Sequence, residues 1–321
     1  MSKRVLILDG DSIAYRCAAA GEERSIVVTH GPTGITKSFK HRTEFKQVML
    51  EKNKEITEDY MVQDHQEPEP IEHVLATIKR HVERIANEVN PDKVIIFAGE
   101  EDNFRLKLPL PSKYKGQRSG TIRPVHLAEA KNYLTKKYNA EKAYGYEVDD
   151  ACCIAAYDAI REGKEAVMYF YEKDQYQLDG VTLLYDQDEF VYQKVPVLGE
   201  LHLEKAAVKG LGLKFLAYQW VCSDPVDNYC AYELSKARFG AKSAYTLLKD
   251  CQTEQEVILK VLDQFKKFYP DKFEYTDWEG EQHEADYQTM LGMYYRCAKM
   301  MRSKDDNLDF MKFLDKYGVQ L

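Results

Sequence analysis

The chain has 321 residues, 44% of them hydrophobic, and a formal net charge of −8. That length and apolar content suffice for one large domain or two smaller ones with a real core. The acidic balance excludes a surface that grips a phosphate backbone over its whole area. No stretch approaches the roughly 18 apolar residues that span a bilayer. The opening Met1-Ser2-Lys3-Arg4, followed by four apolar residues and an Asp, is too short for a signal peptide, so a cytosolic protein and no membrane partner are expected. Seven cysteines, an odd number with Cys152 and Cys153 adjacent in an apolar pattern and no CxxC pair, predict reduced thiols rather than a disulfide framework or a zinc site.

In chain order, Val5 to Leu8 reads as a short buried strand that delivers Asp9-Gly10-Asp11-Ser12 at its end, and Ile13 to Ala20 as a helix. A departure follows over about 25–72: a β-like Ser25 to Thr29, a turn at Gly31-Pro32-Thr33-Gly34, a basic run and a charged stretch ending in Glu67-Pro68-Glu69-Pro70. It is read as an insertion or mobile flap over 29–72. Ile71 to Val89 has a helical apolar period and leads into a strand Val94 to Ala98. Further helices are predicted over Pro124 to Tyr138 and Asp149 to Ile160, and strands over Ala166 to Phe170 and Val181 to Tyr185. Beyond Pro196 the pattern reads as helices: Lys205 to Leu211, Lys214 to Cys222, Ala241 to Leu248 and two or three more. Strands alternating with helices predict an α/β fold with a mainly parallel sheet and a site beyond the carboxyl ends of its strands. The division expected is a core over 1–195 and a helical region over 196–321.

Acids cluster where the apolar runs end: Asp9 and Asp11, Glu100 to Asp102, Glu147 with Asp149 and Asp150, Glu172 with Asp174, and Asp224 with Asp227. Carboxylates converging on one sheet edge repel one another and titrate upward unless a cation compensates them. A divalent ion bound through oxygen ligands with waters retained is the usual compensator, and the pattern is that of metal-dependent phosphoryl transfer. Removing some nine acids into such a cleft leaves a nearly neutral remainder with uneven basic patches, one at Lys37, Lys40, His41, Arg42 and Lys46 and one at Lys113, Lys115, Arg118 and Arg123.

Six motifs in order over roughly residues 5–250 resemble the flap endonuclease and 5′-exonuclease family, in particular its bacterial and bacteriophage members. They are Asp9-Gly10-Asp11 with Tyr15-Arg16; Phe104-Arg105 with Tyr114-Lys115-Gly116-Gln117-Arg118; Gly145-Tyr146-Glu147-Val148-Asp149-Asp150; Glu172-Lys173-Asp174; Ser223-Asp224-Pro225-Val226-Asp227-Asn228; and Phe239-Gly240-Ala241-Lys242. The resemblance implies a PIN-like core, two Mg2+ ions (Mn2+ as a substitute), and hydrolysis of a phosphodiester at or near a DNA 5′ end or flap, with RNA–DNA hybrids left open. Replication, repair or primer removal in a bacterium or phage-infected cell would be its setting.

By that resemblance Asp9, Glu100, Glu147, Asp149, Asp150, Glu172, Asp174, Asp224 and Asp227 match the metal-site acids. Lys115 and Arg118 match a basic pair that clamps the scissile phosphate. Gly240, Lys242 and Ser243 match the later half of a helix-turn-helix that grips duplex DNA. Asp11 is either a helix N-cap or a group that orients metal-bound water. Lys37, Lys40 and Arg42 are expected to hold a 5′ strand, because only about 28 residues separate Arg118 from Glu147, short for a helical arch. Trp220 and several tyrosines are read chiefly as core, with base stacking the alternative.

Glu100 and Glu172 stand where the family usually has Asp. The turn over Tyr229 to Arg238 has no glycine, which leaves a K+ site there open. Two other readings are carried. One is a DNA-binding relative without catalysis. The other is a haloacid-dehalogenase-type phosphatase built on Asp9-Gly10-Asp11-Ser12, which would need a strand before Asp224.

Overall fold

The computed structural model describes residues 3–321 except 170, 171, 187 and 206, and of Glu100 and Glu101 it describes no side chain. Its first half runs β1 (Arg4–Asp9), α1 (Gly10–Ala20), β2 (Glu22–His30), β3 (Ile35–Phe39), α2 (Arg42–Glu51), β4 (Tyr60–Pro68), α3 (Ile71–Val89), β5 (Lys93–Asn103), α4 (Leu127–Tyr138) and β6 (Glu141–Gly145). Then come α5 (Val148–Arg161), β7 (Glu165–Tyr169), β8 (Thr182–Asp186), β9 (Phe190–Lys194), β10 (Leu201–Glu204), β11 (Ala207–Gly210) and α6 (Gly212–Val221). The remainder is β12 (Ser223–Asp224), β13 (Tyr229–Cys230), α7 (Ala241–Leu248), α8 (Glu254–Phe268), β14 (Phe273–Thr276), β15 (Gln282–Ala285), α9 (Tyr287–Ala298) and α10 (Phe310–Lys316). No helix among the described residues is long and apolar enough to cross a membrane.

The chain forms two compact units, and they do not divide at residue 195: one takes Met1–Asp11, Ile85–Thr121 and Asn139–Leu321, the other Ser12–Arg84 and Ile122–Tyr138. The larger unit holds a sheet in the order β6-β5-β1-β7-β8-β9, parallel except for the antiparallel edge strand β9. β1 is central, with Leu6 beside Val94 of β5 and Val167 of β7. A parallel strand covered on both faces reads as an unbroken apolar run, and Val5, Leu6, Ile7 and Leu8 are all buried. The fold class is thus the expected α/β arrangement with a mainly parallel sheet.

The C-terminal part of this unit packs α6, α8 and α9 around a core that includes Trp220, Phe265 and Tyr294. The Trp220 indole N–H donates to the Leu291 carbonyl at 2.8 Å and its ring lies 4.8 Å from that of Tyr295, so it is core. The helix expected over Lys205 to Leu211 is instead a hairpin, with β10 and β11 pairing Leu203 to Val208 and Leu201 to Gly210. Gly210 permits it: a Cβ there would meet the Glu200 carbonyl oxygen at 2.4 Å. All seven cysteines are free, and all but Cys230 are buried.

The smaller unit contains an antiparallel sheet in the order β3-β2-β4. Segment 29–72, expected as an insertion or mobile flap, is folded structure: Ile26, Val28, Phe45 and Met49 form a core of its own, with Phe39 and Tyr60 packed against it. α2 is capped by His41, whose Nδ1 accepts the Glu44 N–H at 3.0 Å. Lys37 and Lys40 are exposed, and Arg42 is bonded to the Asp64 carboxylate, 2.6 Å through one of its two contacts.

Candidate active site

The elements of the larger unit deliver acids to one place. Asp9 is the last residue of β1, Glu147 precedes α5 and Asp149 lies in its first turn, Glu172 and Asp174 follow β7, and Asp224 and Asp227 follow α6. Burial pushes the Asp149 carboxyl well above its ordinary range, and the charges of Asp9, Glu172, Glu147 and Asp174 push it further. Asp174 is pushed up to about 7, first by burial and then by Asp227 and Asp224, against the opposing pull of Lys173 and a bond from Gln219. Glu172 is raised by burial and Asp9, with Lys115 and Arg118 pulling the other way. Asp227 is raised by burial, with Lys115 opposing and Asp224 and Glu147 adding to it. Seven carboxylates therefore share one electrostatic field, as like charges in a partly desolvated cleft must.

Cations answer part of that charge. Lys115 is bonded to Glu147 and lies 3.6 Å from Asp227; burial alone would lower its pKa, but Glu147 and Asp227 hold it protonated and raise it. Arg118 donates to Asp227 at 3.3 Å and to the Val226 carbonyl at 3.3 Å. Lys173 is paired with Asp224, whose other oxygen accepts the Val226 and Asp227 N–H groups. Among the described residues, Asp149 Oδ1 is buried and has no hydrogen-bond partner.

The loop carrying Lys115 and Arg118 is laced to the loop of Asp224 and Asp227 by main-chain acceptors. Gln117 donates to the carbonyls of Pro225 and Val226 at 2.7 and 2.6 Å, and Asn228 donates to that of Lys113 at 2.8 Å. Lys115 itself takes a left-handed backbone, φ 54°, a conformation that costs a non-glycine residue on the order of 1 kcal/mol and persists where surroundings enforce it.

Other expected residues sit elsewhere. Asp150 is wholly buried with Arg105: the guanidinium donates to its carboxylate at 2.5 and 3.1 Å, and the Met301 N–H donates to it at 3.0 Å. Both oxygens are thus filled, unlike Oδ1 of the neighbouring Asp149. Asp11 lies in the first turn of α1 and accepts the Gly99 N–H of β5 at 3.2 Å. It is not the N-cap but a brace on the strand that carries Glu100, whose side chain is outside the described residues. Gly240 is the N-cap of α7, and Lys242 and Ser243 are exposed in its first turn. Residues 212–221 are helical, contrary to the strand that the phosphatase reading requires before Asp224.

Sequence reasoning assigned no role to Lys173, Arg105 or Gln219, and read Tyr114 only as core or a base-stacking ring. Tyr114 donates to Glu147 at 3.2 Å and Gln219 to Asp174. Lys173 stood in view between two acids; the others are placed by the fold.

Among the described residues, no three carboxylate, imidazole or thiolate side chains are gathered closely enough to grip a single ion as they stand. The donor set nevertheless fits a hard divalent cation: it is all oxygen, mutually repelling and under-compensated, and Asp149 Oδ1 has no partner among the described residues. Magnesium takes few protein ligands and keeps its waters, so it does not require a closed cage.

No protein-family model and no curated protein matches the chain. Solved structures do. The D15 protein of bacteriophage T5, co-crystallised with metal ions, aligns over 98% of this chain and 97% of its own at 14% identity and a TM-score of 0.47. The T5 D15 flap endonuclease in a pseudo-enzyme–product complex with DNA and metal ions aligns over 99% and 100%, at 14% identity and a TM-score of 0.43. A T5 5′-exonuclease with bound zinc aligns over 92% and 100%, at 13% identity and a TM-score of 0.41. The three alignments are thus with structures of flap endonucleases and 5′-exonucleases, at 13–14% identity and TM-scores below 0.5.

Proposed function

We propose that this chain is a metal-dependent 5′-nuclease that hydrolyses phosphodiester bonds at or near the 5′ ends of DNA, as exonuclease, flap endonuclease or both. One observation carries the reading: Asp9, Glu147, Asp149, Glu172, Asp174, Asp224 and Asp227 lie in one field with Lys115 and Arg118, and Asp149, raised by burial and by its neighbours' charges, has an oxygen without a partner among the described residues. Glu100, on β5, belongs to the proposed set by position, whereas Asp150 leaves it because Arg105 and Met301 occupy its oxygens. Two divalent ions, Mg2+ or Mn2+, would supply an activated water and neutralise the oxygens of an in-line displacement. The chain's own residues do the rest. Lys115 and Arg118 hold equatorial phosphate oxygens without exchanging a proton, the planar Arg fork fixing orientation and the Lys acting as a point charge. Gly240, Lys242 and Ser243 present backbone N–H groups and a charge at the start of α7, a grip that reads duplex shape rather than sequence.

A second reading has its own support. Ion pairs already tie Glu147 to Lys115 and Asp224 to Lys173, as in a relative that binds DNA without cutting it.

The test compares 5′-labelled and 3′-labelled duplex, nicked, flapped and RNA–DNA hybrid substrates in Mg2+, in Mn2+ and in chelator. Metal-dependent products released from the 5′ side support the proposal, and their sizes separate exonuclease from flap cleavage. Binding with intact substrates in both metals establishes the second reading instead.

A further inference from the structure

The sheet of the smaller unit carries a cavity of about 250 Å3. Its floor is apolar and aromatic: Phe45 and Met49 of α2 are buried beneath it, and Phe39 and Tyr60 close its sides. Phe45 lies 5.3 Å from Phe39 and 5.7 Å from Tyr60, ring centre to ring centre, and the Tyr60 ring lies 4.7 Å from that of His30. Lys37, Lys52 and Lys54 line the rim. No acid lines the cavity, although the chain as a whole carries −8, and none of the three ammonium groups is paired with a carboxylate among the described residues. Ile35 at the mouth is 58% exposed.

An apolar hollow ringed by one sign of charge selects a ligand with a flat hydrophobic part and an anionic part. The volume falls below the roughly 300 Å3 at which pockets begin to take drug-sized ligands, leaving room for one ring system. Aromatic floors accept any base because every base has a π-face, and basic rims track phosphates. We propose that this cavity binds one unstacked nucleobase of a single strand, with Lys37, Lys52 and Lys54 on the adjoining phosphates. The proposal rests on the nuclease reading for its setting and goes beyond it in giving the segment a base-holding pocket rather than a basic surface.

The probe is a 5′-phosphorylated tetrathymidylate with a 3′ fluorophore, set against an abasic tetranucleotide of equal charge, and anisotropy is measured on the full chain in chelator, where no cleavage can occur. The base-bearing probe is expected to bind more tightly than the abasic one by roughly 5- to 150-fold, the range that stacking of one base supplies. Raising salt fourfold should weaken it by roughly 20-fold, as three phosphate contacts on a single strand require. The Lys37→Glu/Lys52→Glu/Lys54→Glu variant, all surface changes, should abolish that salt dependence. Equal binding of the two probes, or octanoate binding in the absence of tetranucleotide binding, overturns the proposal. Tetranucleotide binding together with no cleavage of any 5′-ended substrate in Mg2+ or Mn2+ leaves the pocket standing and removes the nuclease reading.

Discussion

Lys115 is tied twice to Asp227: its backbone N–H donates to the Asp227 carbonyl at 2.8 Å, and its ammonium lies 3.6 Å from the same residue's carboxylate. The left-handed turn at Lys115 thus aims a cation into the acid cluster. Lys115→Ala should lower the single-turnover cleavage rate with little change in DNA affinity. Lys115→Gly should be equally slow but more stable by about 1 kcal/mol in urea denaturation, because glycine adopts that backbone without strain. Retained rate with lost affinity would make Lys115 a docking residue.

In the proposed reading Lys242 belongs to docking. Exposed at the start of α7, it should on replacement by Ala weaken binding to duplex-containing substrates and reduce the salt slope by about one unit, with single-turnover rate at saturation unchanged. Titrations at three salt concentrations decide the point.

Asp149→Ala and Asp174→Ala should each reduce metal-dependent hydrolysis by orders of magnitude while DNA affinity persists, because losing a metal ligand harms the transition state more than the ground state. Undiminished turnover of both variants in saturating Mg2+ would remove these acids from the reaction.

The same acids set a pH dependence. Asp174 sits at about 7 in the metal-free fold against roughly 3.9 in an unfolded chain. Between those values the folded chain holds a proton that the unfolded chain releases, so the contribution of this group to stability is greatest at the acid end and falls as pH rises, by at most about 1.4 kcal/mol per pH unit. In chelator, Asp174→Asn should therefore gain in Tm over the parent at pH 7.5 and lose that advantage at pH 5. Mg2+ should stabilise the parent more at pH 7.5 than at pH 5. A Tm difference that does not change with pH would show that Asp174 is ionised throughout.

Arg105 and Asp150 are both 0% exposed. Removing one partner leaves the other charged and buried, so Arg105→Met should cost about 3–5 kcal/mol, and Arg105→Met/Asp150→Leu should recover much of the loss. Equilibrium unfolding of the three proteins gives the comparison.

The sheet was legible because strands covered on both faces write continuous apolar runs, as Val5 to Leu8 does. The acids were legible as a group, because each closes such a run or opens a helix. Which acid does what was not: Asp149 and Asp150 are neighbours on α5, and successive helical residues point about 100° apart, so one meets the cluster and the other meets Arg105, 45 residues away. Residues 205–211 were misread because four apolar positions in a short run fit either a period of two or a period of 3.6. The fold of segment 29–72 depends on pairing β2 with β4 across an intervening strand and helix, a match that local patterning does not show.

Arg105 donates to the carbonyls of Arg296 at 3.1 Å and Lys299 at 2.8 Å, and the Met301 N–H closes on Asp150. A chain lacking these residues would leave the guanidinium without two of its acceptors and the carboxylate without one of its donors. The setting of the helix that bears Asp149 thus depends on contacts from as far as 151 positions along the chain. Trimming the chain before Arg296 should therefore disturb the acid cluster through Asp150 without removing any of its seven acids.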